Sequence, residues 1–331
     1  MKVPFTWKPT GWFMIGWSAQ FSPGTVTPLK YLGQDLVAYR TEDGQLHVLD
    51  AHCPHLGAHL GHRGKVNGDC VECPYHGWGF GPDGVNRYIP YEDRPNVSKS
   101  LRSWPIQEMH ECVFMWHDPA GGPPRFDVPD PFTGFPDVIG DPAEYYRAYP
   151  EVSVRYEREP VHPQISLENT PDSKHFRYVH AATVEPVLIK YTYDAAEYRG
   201  WIGWPVPGHP ALDGMAMKLY NVAVGVGGAF AVVTDPVHYR LAFFTTPVDD
   251  GTSDMFYSIW WAKDAGDDGV TLPEKYKRTI DKQFLQTLAD DLEIWRYQKY
   301  IEHPIFAKSD AKAYTDLRNW AKQFYELPAN A

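Results

Sequence analysis

The chain has 331 residues, of which 43% are hydrophobic and 15% aromatic, and its formal net charge at pH 7 is −11. This length and composition predict a globular protein with room for two hydrophobic cores and exclude wholesale disorder. The acidic balance argues against nucleic acid as a partner, and the most apolar stretch, residues 222–233, is too short and too rich in glycine to cross a membrane.

Short alternating segments separated by turn residues fill the first 118 residues. Residues 36–39 and 46–49 flank an Asp-Gly turn, which is typical of a β-hairpin. The apolar run 112–116 predicts a further strand. We therefore expect a small antiparallel β domain over residues 1–118.

Two clusters of candidate metal ligands lie inside this domain. Cys53 and His55 form the first, Cys73 and His76 the second, and 17 residues separate them. A [2Fe–2S] cluster held by two cysteines and two histidines is a Rieske centre. Zinc is the alternative, since it also binds Cys2His2 sets, but zinc modules usually pair Cys with Cys and His with His at short spacing. The mixed pairs therefore favour the Rieske cluster.

Other cysteines and histidines in this region are interpreted differently. Cys70 has no matching partner at the right spacing, and Cys112 is expected to be a small buried hydrophobic residue. His59 and His62 are interpreted as surface or supporting groups. The four cysteines form no even disulfide framework and the N-terminus lacks the apolar core of a signal peptide, so we expect a reduced, cytoplasmic protein.

Residues 119–144 are rich in proline and show no hydrophobic period, which predicts a linker or covering loop. A second domain is expected over residues 145–331. Its predicted elements are, in chain order, a strand over 151–157, a helix over 167–180, strands within 186–263 and a helix from Leu272 to about Glu302. Pro304 would end this long helix.

The predicted helix over 167–180 contains a pair of candidate iron ligands, His175 and His180. Five residues apart on an ideal helix, they would point about 140° away from each other. Both could reach one ion only where the helix ends or is distorted, for instance at a π-bulge. By itself, the pair does not distinguish a metal site from two unrelated histidines.

A carboxylate on the long helix changes this interpretation. Asp291 lies within about 40° of Phe284 and therefore falls in the apolar stripe of the helix, whereas Asp290 points about 120° away from it. A buried carboxylate is costly unless it is paired or bound to metal, and a buried hydrogen bond or ion pair is the alternative. Two histidines and one carboxylate form the facial triad of non-haem Fe(II) oxygenases.

The two sites together resemble the oxygenase component of Rieske non-haem iron oxygenases over nearly the whole chain. The family motif D-x-x-H-x4-H is matched by Asp172, His175 and His180, and the family's ligand on the C-terminal helix is matched by Asp291. Leu56 stands where many ring-hydroxylating members have arginine. Together with the segments GDCVECPYHGW and GPDGVNRYIPY, this is similar to the 3-ketosteroid 9α-hydroxylase branch.

The resemblance implies an α+β fold: an N-terminal antiparallel β Rieske domain and a C-terminal helix-grip (START-like) domain with an antiparallel sheet and a long C-terminal helix. It implies a [2Fe–2S] cluster, a mononuclear Fe(II), O2 as co-substrate and electrons from an NADH-dependent reductase, with or without a ferredoxin. It also implies a head-to-tail homotrimer. In such a trimer Asp172 would bridge His76 of one subunit and His175 of the next.

The expected reaction is hydroxylation of a bulky apolar, steroid-like molecule. Desaturation, demethylation and an aromatic substrate remain alternatives, and a Rieske electron carrier without oxygen chemistry is the non-enzymatic one. The strand region offers five basic residues that could anchor an acidic substrate, and each is interpreted as a solvated side chain: Lys190, Arg199, Lys218, Arg240 and Lys263.

Overall fold

The computed structural model describes residues 2–207, 214–234 and 237–325. Parts of the predicted strand region (208–213 and 235–236) and the end of the predicted second domain (326–331) lie outside the described residues. No helix among the described residues is long and apolar enough to cross a bilayer.

The described residues up to position 117 form three antiparallel sheets. Their strands are β1 (Gly11–Trp17), β2 (Val26–Tyr31), β3 (Gln34–Arg40), β4 (Leu46–Asp50), β5 (Lys65–Asn67), β6 (Cys70–Glu72), β7 (Gly79–Phe80), β8 (Asn86–Tyr88), β9 (Ser103–Trp104), β10 (Ile106–Met109) and β11 (Cys112–His117). The strand orders are β1-β11-β10, β2-β3-β4-β9 and β5-β6-β7-β8. The predicted hairpin is formed by β3 and β4, and the predicted later strand is β11.

The second half of the chain is built on one antiparallel sheet of seven strands among the described residues. They are β12 (Ser153–Glu159), β13 (Val187–Asp194), β14 (Glu197–Pro205), β15 (Met215–Val224), β16 (Gly228–Thr234), β17 (Tyr239–Asp249) and β18 (Thr252–Trp261). Their order is β12-β18-β17-β16-β15-β14-β13. Side chains alternate between the two faces of such a sheet, so each strand packs against a different part of the protein on each face.

Five helices accompany this sheet in the described part of the chain. They are α1 (Pro163–Leu167), α2 (His175–Tyr178), α3 (Glu274–Thr279), α4 (Gln286–Tyr297) and α5 (Ala311–Ala321). A π-helical segment, Ile280–Leu285, joins α3 to α4 into one long helix. The predicted long helix is therefore confirmed, although it ends at Tyr297 rather than near Glu302.

The predicted continuous helix over 167–180 is wrong. The chain leaves α1 after Leu167 and returns to helical geometry only at His175, for the single turn of α2. Pro171 disfavours helical geometry in the residue before it and cannot donate a backbone hydrogen bond. The Asp172 carboxylate accepts hydrogen bonds from the backbone N–H groups of Lys174 (2.9 Å) and His175 (3.2 Å), and so begins the new turn.

Two of the three N-terminal sheets, β1-β11-β10 and β2-β3-β4-β9, share one hydrophobic core with the seven-stranded sheet, whereas β5-β6-β7-β8 packs in a separate cluster. The Trp17 indole N–H donates to the Ser258 hydroxyl at 2.8 Å, which joins β1 to β18. At Gly227, a Cβ atom would lie only 2.2 Å from the carbonyl oxygen of Trp12, so only glycine allows this close approach. The shared core fixes the position of the N-terminal domain against one face of the large sheet.

The long helix crosses the opposite face of the large sheet. The Phe284 ring lies 4.6 Å from that of Tyr239, and Trp295 packs in a cluster with Met255 and Tyr257 of β18. This arrangement is the helix-grip architecture implied by the resemblance. It places the apolar stripe of the helix, and Asp291 within it, over the sheet.

Residues 119–144 cover the edge of the shared core, and Phe132 and Phe135 are buried in it. Arg240 anchors this segment by donating to the carbonyl oxygens of Pro131 (2.5 Å) and Val138 (2.7 Å). The interpretation of Arg240 as a solvated side chain is therefore wrong, since it is only 2% exposed. The boundaries assigned to the three segments of the chain stay predictions.

Candidate metal centres and active site

The two Cys/His loops have the same backbone design. In the first, the Cys53 N–H donates to Ala58 O and the Gly57 N–H donates to Cys53 O, both at 2.9 Å. The second loop repeats this pattern at Cys73, with bonds of 2.9 and 3.0 Å. The glycine four residues after each cysteine has a positive φ, +77° at Gly57 and +72° at Gly77, which other residues rarely adopt.

The four side chains of these loops form two pairs. Cys53 and Cys73 are buried in one small hydrophobic cluster and lie close enough for their thiols to interact. The His55 and His76 rings lie 4.7 Å apart. A Rieske cluster has two cysteines on one iron and two histidines on the other, so this pairing fits its ligand geometry.

Burial raises the pKa of the Cys53 thiol to about 11. A free thiol in this place would keep its proton at neutral pH, and binding an electropositive metal is a direct way to stabilise the thiolate. The His55 ring is stacked on Trp78 at 4.6 Å, which fixes its orientation. The loops are therefore chemically suited to hold a cluster.

The two remaining cysteines lie apart from the paired loops. Cys112 is fully buried in the shared core on β11, which agrees with its interpretation as a small hydrophobic residue. Cys70 lies on β6, and its thiol donates to the Asp69 carboxylate at 3.2 Å. Neither Cys70 nor Cys112 is therefore a candidate ligand of the cluster.

The second candidate site brings together His175, His180 and Asp291. Their ligand atoms all lie within 4.8 Å of one another, and among the described residues they are the one group of three such side chains with this property. The His180 Nε2 atom lies 3.2 Å from the Asp291 Oδ1 atom. On a continuous helix the two histidines would point away from each other. Because α2 ends at Tyr178, before His180, this restriction does not apply.

Buried nitrogen atoms without hydrogen bonds mark this site. His175 Nε2 and both ring nitrogens of His180 have no hydrogen-bond partner. The 3.2 Å contact between His180 Nε2 and Asp291 Oδ1 is not a hydrogen bond. Orphaned buried nitrogens are costly unless another ligand takes them up, and a metal ion does so. The three side chains therefore fit a mononuclear iron.

Neighbouring groups orient these candidate ligands. The His175 Nδ1 atom lies 2.7 Å from the backbone oxygen of Asp172, which favours a proton on Nδ1 and leaves Nε2 free to bind metal. Asn169 Nδ2 donates to Asp291 Oδ2 at 3.2 Å, which leaves Asp291 Oδ1 facing the histidines. The role of Asn169 had not been predicted from the sequence, where it only indicated a helix start.

Asp172 lies on the outer side of His175, with its side chain 24% exposed. Burial pushes the pKa of Asp172 upward, but interactions with His175 and the Tyr314 hydroxyl outweigh it, and the pKa lies below the usual value. The carboxylate is therefore ionised at neutral pH. Among the side chains of this site, Asp172 is the one that a neighbouring molecule could reach.

The large sheet and the long helix share an apolar surface of partly exposed side chains: Met217, Leu219, Leu241, Phe243, Phe284 and Leu288. Leu288 and Asp291 are one turn apart on α4, so this apolar surface extends to the candidate iron site. Tyr257 lies beside this end of the surface, and burial, together with the Asp291 carboxylate, raises the pKa of Tyr257 well above its ordinary value. This tyrosine stays a neutral phenol.

Comparison with known proteins agrees with this geometry. Residues 11–105 match the Rieske [2Fe–2S] domain family, and residues 115–325 match the family described as the 3-ketosteroid 9alpha-hydroxylase C-terminal domain. The fold and the two sites define an oxidoreductase of the Rieske oxygenase class. The chain belongs to the 3-ketosteroid 9α-hydroxylase family within that class.

Several relatives span nearly the whole chain. Cholesterol 7-desaturase from Xenopus laevis is 31% identical and is matched over 96% of this chain and 72% of its own length. The oxygenase component of a 3-ketosteroid-9-alpha-monooxygenase from Rhodococcus rhodochrous is 28% identical, over 95% of this chain and 82% of its own. The same component from Mycolicibacterium smegmatis is 29% identical, with the same coverage of both chains.

Solved structures show the same fold at lower identity. Dicamba monooxygenase bound to dicamba is 19% identical and superposes with a TM-score of 0.66, over 96% of this chain and 97% of that chain. Membership of the family implies two cofactors, a Rieske [2Fe–2S] cluster and a mononuclear iron. The zinc and electron-carrier alternatives are accordingly set aside.

Proposed function

We propose that this protein is the terminal oxygenase of a multicomponent system that hydroxylates a bulky, apolar, steroid-like molecule. The observation that carries the proposal is the apolar surface of the large sheet and the long helix, which extends to His175, His180 and Asp291. Cys53, His55, Cys73 and His76 would hold the cluster. When bound, the cluster supplies single electrons and the mononuclear iron activates O2 beside the substrate.

The electron donor would be an NADH-dependent reductase, acting directly or through a ferredoxin. Relatives named as oxygenase components support a separate donor. The reaction belongs in the cytoplasm, where cysteine thiols stay reduced and can hold iron.

The apolar surface supports an apolar substrate. Basic side chains of the strand region are engaged elsewhere: Arg240 holds the covering segment, Arg199 pairs with Glu197 at 2.8 Å, and Lys263 donates to the Ala143 carbonyl oxygen. An acidic substrate would therefore lack these residues as an anchor. The six residues of the apolar surface instead offer aliphatic and aromatic contacts to a polycyclic skeleton.

Desaturation is the second candidate reaction. One relative that is matched over most of this chain is named a cholesterol desaturase. The same site could serve both outcomes, because they differ in how the substrate carbon lies against the iron.

The substrate is tested with purified protein, reductase, NADH and O2 on a panel of 3-ketosteroids, sterols, aromatic acids and betaines. We expect turnover of at least one steroid, with mass spectrometry showing a product that has gained one oxygen atom. Loss of two hydrogens instead would establish a desaturase. Turnover of an aromatic acid with none of any steroid would contradict the substrate proposal and leave the oxygenase class intact.

Assembly with further copies of the chain is part of the proposal. One exposed apolar patch surrounds the cluster loops and consists of Leu56, Tyr75 and Tyr91. A second lies around the candidate iron site and consists of Tyr178, Ile294, Tyr297 and Ile301. Large exposed apolar groups at both sites support a head-to-tail contact of the first patch with the second patch of another copy, closing into a trimer. Asp172 would lie at this contact.

Co-expression of two inactive variants tests transfer between subunits. Cys73→Ser lacks a cluster ligand and Asp291→Ala lacks an iron ligand, so each alone should be inactive. Mixed trimers place an intact cluster loop next to an intact iron site of another subunit, and we expect partial activity to return. Controls are each variant expressed with itself. Mixed trimers as inactive as the parents would show that electrons stay within one chain.

A further inference from the structure

Two aromatic rings lie beside the candidate iron ligands on their histidine side. Phe176 follows His175 in α2, and its ring centroid lies 4.3 Å from that of His175 and 5.6 Å from that of His180. One phenyl ring therefore packs beside both imidazoles. The Phe176 side chain is only partly buried, so part of the ring is left to contact another molecule.

Trp204 of β14 provides the second ring. It is 8% exposed, and its ring centroid lies 5.1 Å from that of Phe176, with an angle of 78° between the two planes. Aromatic pairs favour this edge-to-face geometry. The two rings form an aromatic corner, with two nearly perpendicular walls, beside the iron site.

The aromatic corner continues the apolar surface of the sheet. Trp204 lies opposite Met217 in the register of β14 and β15, and residues directly opposite in an antiparallel pair point to the same face. Met217 belongs to the apolar surface, which extends to Asp291 through Leu288. This surface therefore reaches the iron site from two sides, at Leu288 beside the carboxylate and at Phe176 beside the histidines.

The backbone holds the aromatic corner in place. The chain folds back after His180, and the Ala182 N–H donates to the Phe176 carbonyl oxygen at 2.9 Å. On the other side, β14 pairs with both β13 and β15. A fixed wall beside a reacting centre limits how far a rigid molecule can advance, and a displacement of about 1 Å changes reaction rates by about a hundredfold.

We infer that Phe176 is a specificity-determining residue: with Trp204 it forms the corner against which the edge of a polycyclic substrate rests, and it thereby fixes which carbon faces the iron. The inference rests on the steroid-like substrate of the proposed function. A flat, rigid skeleton suits this corner, because one ring can cover its face while the other stops its edge. The alternative is a structural role, in which the pair only attaches α2 to β14.

Phe176→Ala tests this role because it removes one wall of the corner. Binding of progesterone, a 3-ketosteroid, and of cholesterol is measured by equilibrium dialysis with oxidised protein and no reductase, so that no turnover occurs. We expect Kd to rise about tenfold, as for the partial loss of one aromatic contact. With reductase, NADH and O2, products oxidised at further carbons should make up at least about a tenth of the total, while iron content stays unchanged. Phe176→Leu keeps an apolar side chain and should change both quantities less, in the same direction.

Phe324→Leu is the matched control for Phe176→Leu. The Phe324 ring packs edge-on against Trp320 at 5.0 Å and 75°, which is almost the same geometry, in a cluster that contains none of the candidate ligands. We expect wild-type affinity and wild-type products. Unchanged products in both Phe176 variants, an equal change of products in Phe324→Leu, or loss of iron from Phe176→Leu would each overturn the inference.

The wild-type protein separates this inference from the proposed function. If it oxidises neither probe nor any other steroid of the panel, the proposed substrate class is wrong, and the inference fails with it. If it oxidises a steroid and the Phe176 variants give the same products, only the role of Phe176 is wrong.

Discussion

Asp172→Asn is expected to lower steady-state turnover by about a hundredfold while both metal sites stay loaded. Asparagine keeps the oxygen that accepts the backbone N–H groups of Lys174 and His175, so the turn that begins α2 survives. It loses the negative charge and replaces one acceptor oxygen with a donor. His76 of a neighbouring subunit would then face an amide instead of a carboxylate, and His175, whose Nδ1 lies 3.7 Å from Asp172 Oδ2, would lose the nearby negative charge.

The measurement is the rate of cluster oxidation in a single turnover, together with iron content and steady-state rate. Asp141→Asn is a matched control, since Asp141 also accepts a backbone N–H, from Ala143 at 2.9 Å, and lies outside both sites. Turnover of Asp172→Asn close to that of Asp141→Asn would exclude the bridge.

Asp291→Ala is expected to abolish turnover and to reduce iron from about three to about two atoms per chain, with the visible spectrum of the cluster unchanged. The substitution removes the one carboxylate of the three candidate ligands and leaves two buried histidines with orphaned nitrogens. Two neutral imidazoles cannot balance the charge of a divalent ion in a buried place, so the affinity for iron should fall sharply.

The neighbouring residue provides the control. Asp290 accepts a hydrogen bond from Gln286 at 2.8 Å on the exposed side of the same helix, so Asp290→Ala should keep iron and turnover. Iron analysis and electron paramagnetic resonance of the two variants distinguish the sites. Full iron content in Asp291→Ala would mean that another group completes the site.

Spacing in the sequence was sufficient to predict the two cluster loops, because all four candidate ligands lie in one short stretch. Each loop is a local structure, closed by its own backbone hydrogen bonds and a glycine with positive φ. The same holds for the hairpin of β3 and β4. Local signals therefore predicted local geometry.

The segment before His175 shows how a helix was misassigned. One helix was predicted over 167–180, yet the chain breaks at Pro171 and Asp172, and the Asp172 side chain accepts the backbone N–H groups of Lys174 and His175. Both residues act directly on the backbone, since proline cannot donate a backbone hydrogen bond and a side-chain acceptor can begin a new turn. Placing the break correctly would have resolved the angle between His175 and His180 without a distorted helix.

The helix α5 had its own signal in the sequence and was missed. Ala313, Leu317, Trp320 and Ala321 are buried and follow the spacing of an amphipathic helix. No local pattern, however, predicts that Arg318 meets Glu168 or that Asn169 meets Asp291, 122 residues away. Such contacts depend on how the long helix and α5 fold back over the sheet.

The helix α5 also has a consequence for how the protein is made. The hydrophobic cluster around Cys53 and Cys73 draws its buried residues only from positions 37–101, so the cluster loops can close early in synthesis. The mononuclear site cannot form until Asp291 has left the ribosome, and its supporting segment is not fixed until Arg318, 150 residues after Glu168, has followed. Maturation therefore has a direction: iron–sulfur assembly can begin once the loops have been made, whereas loading of the single iron would wait until Asp291 and Arg318 have followed.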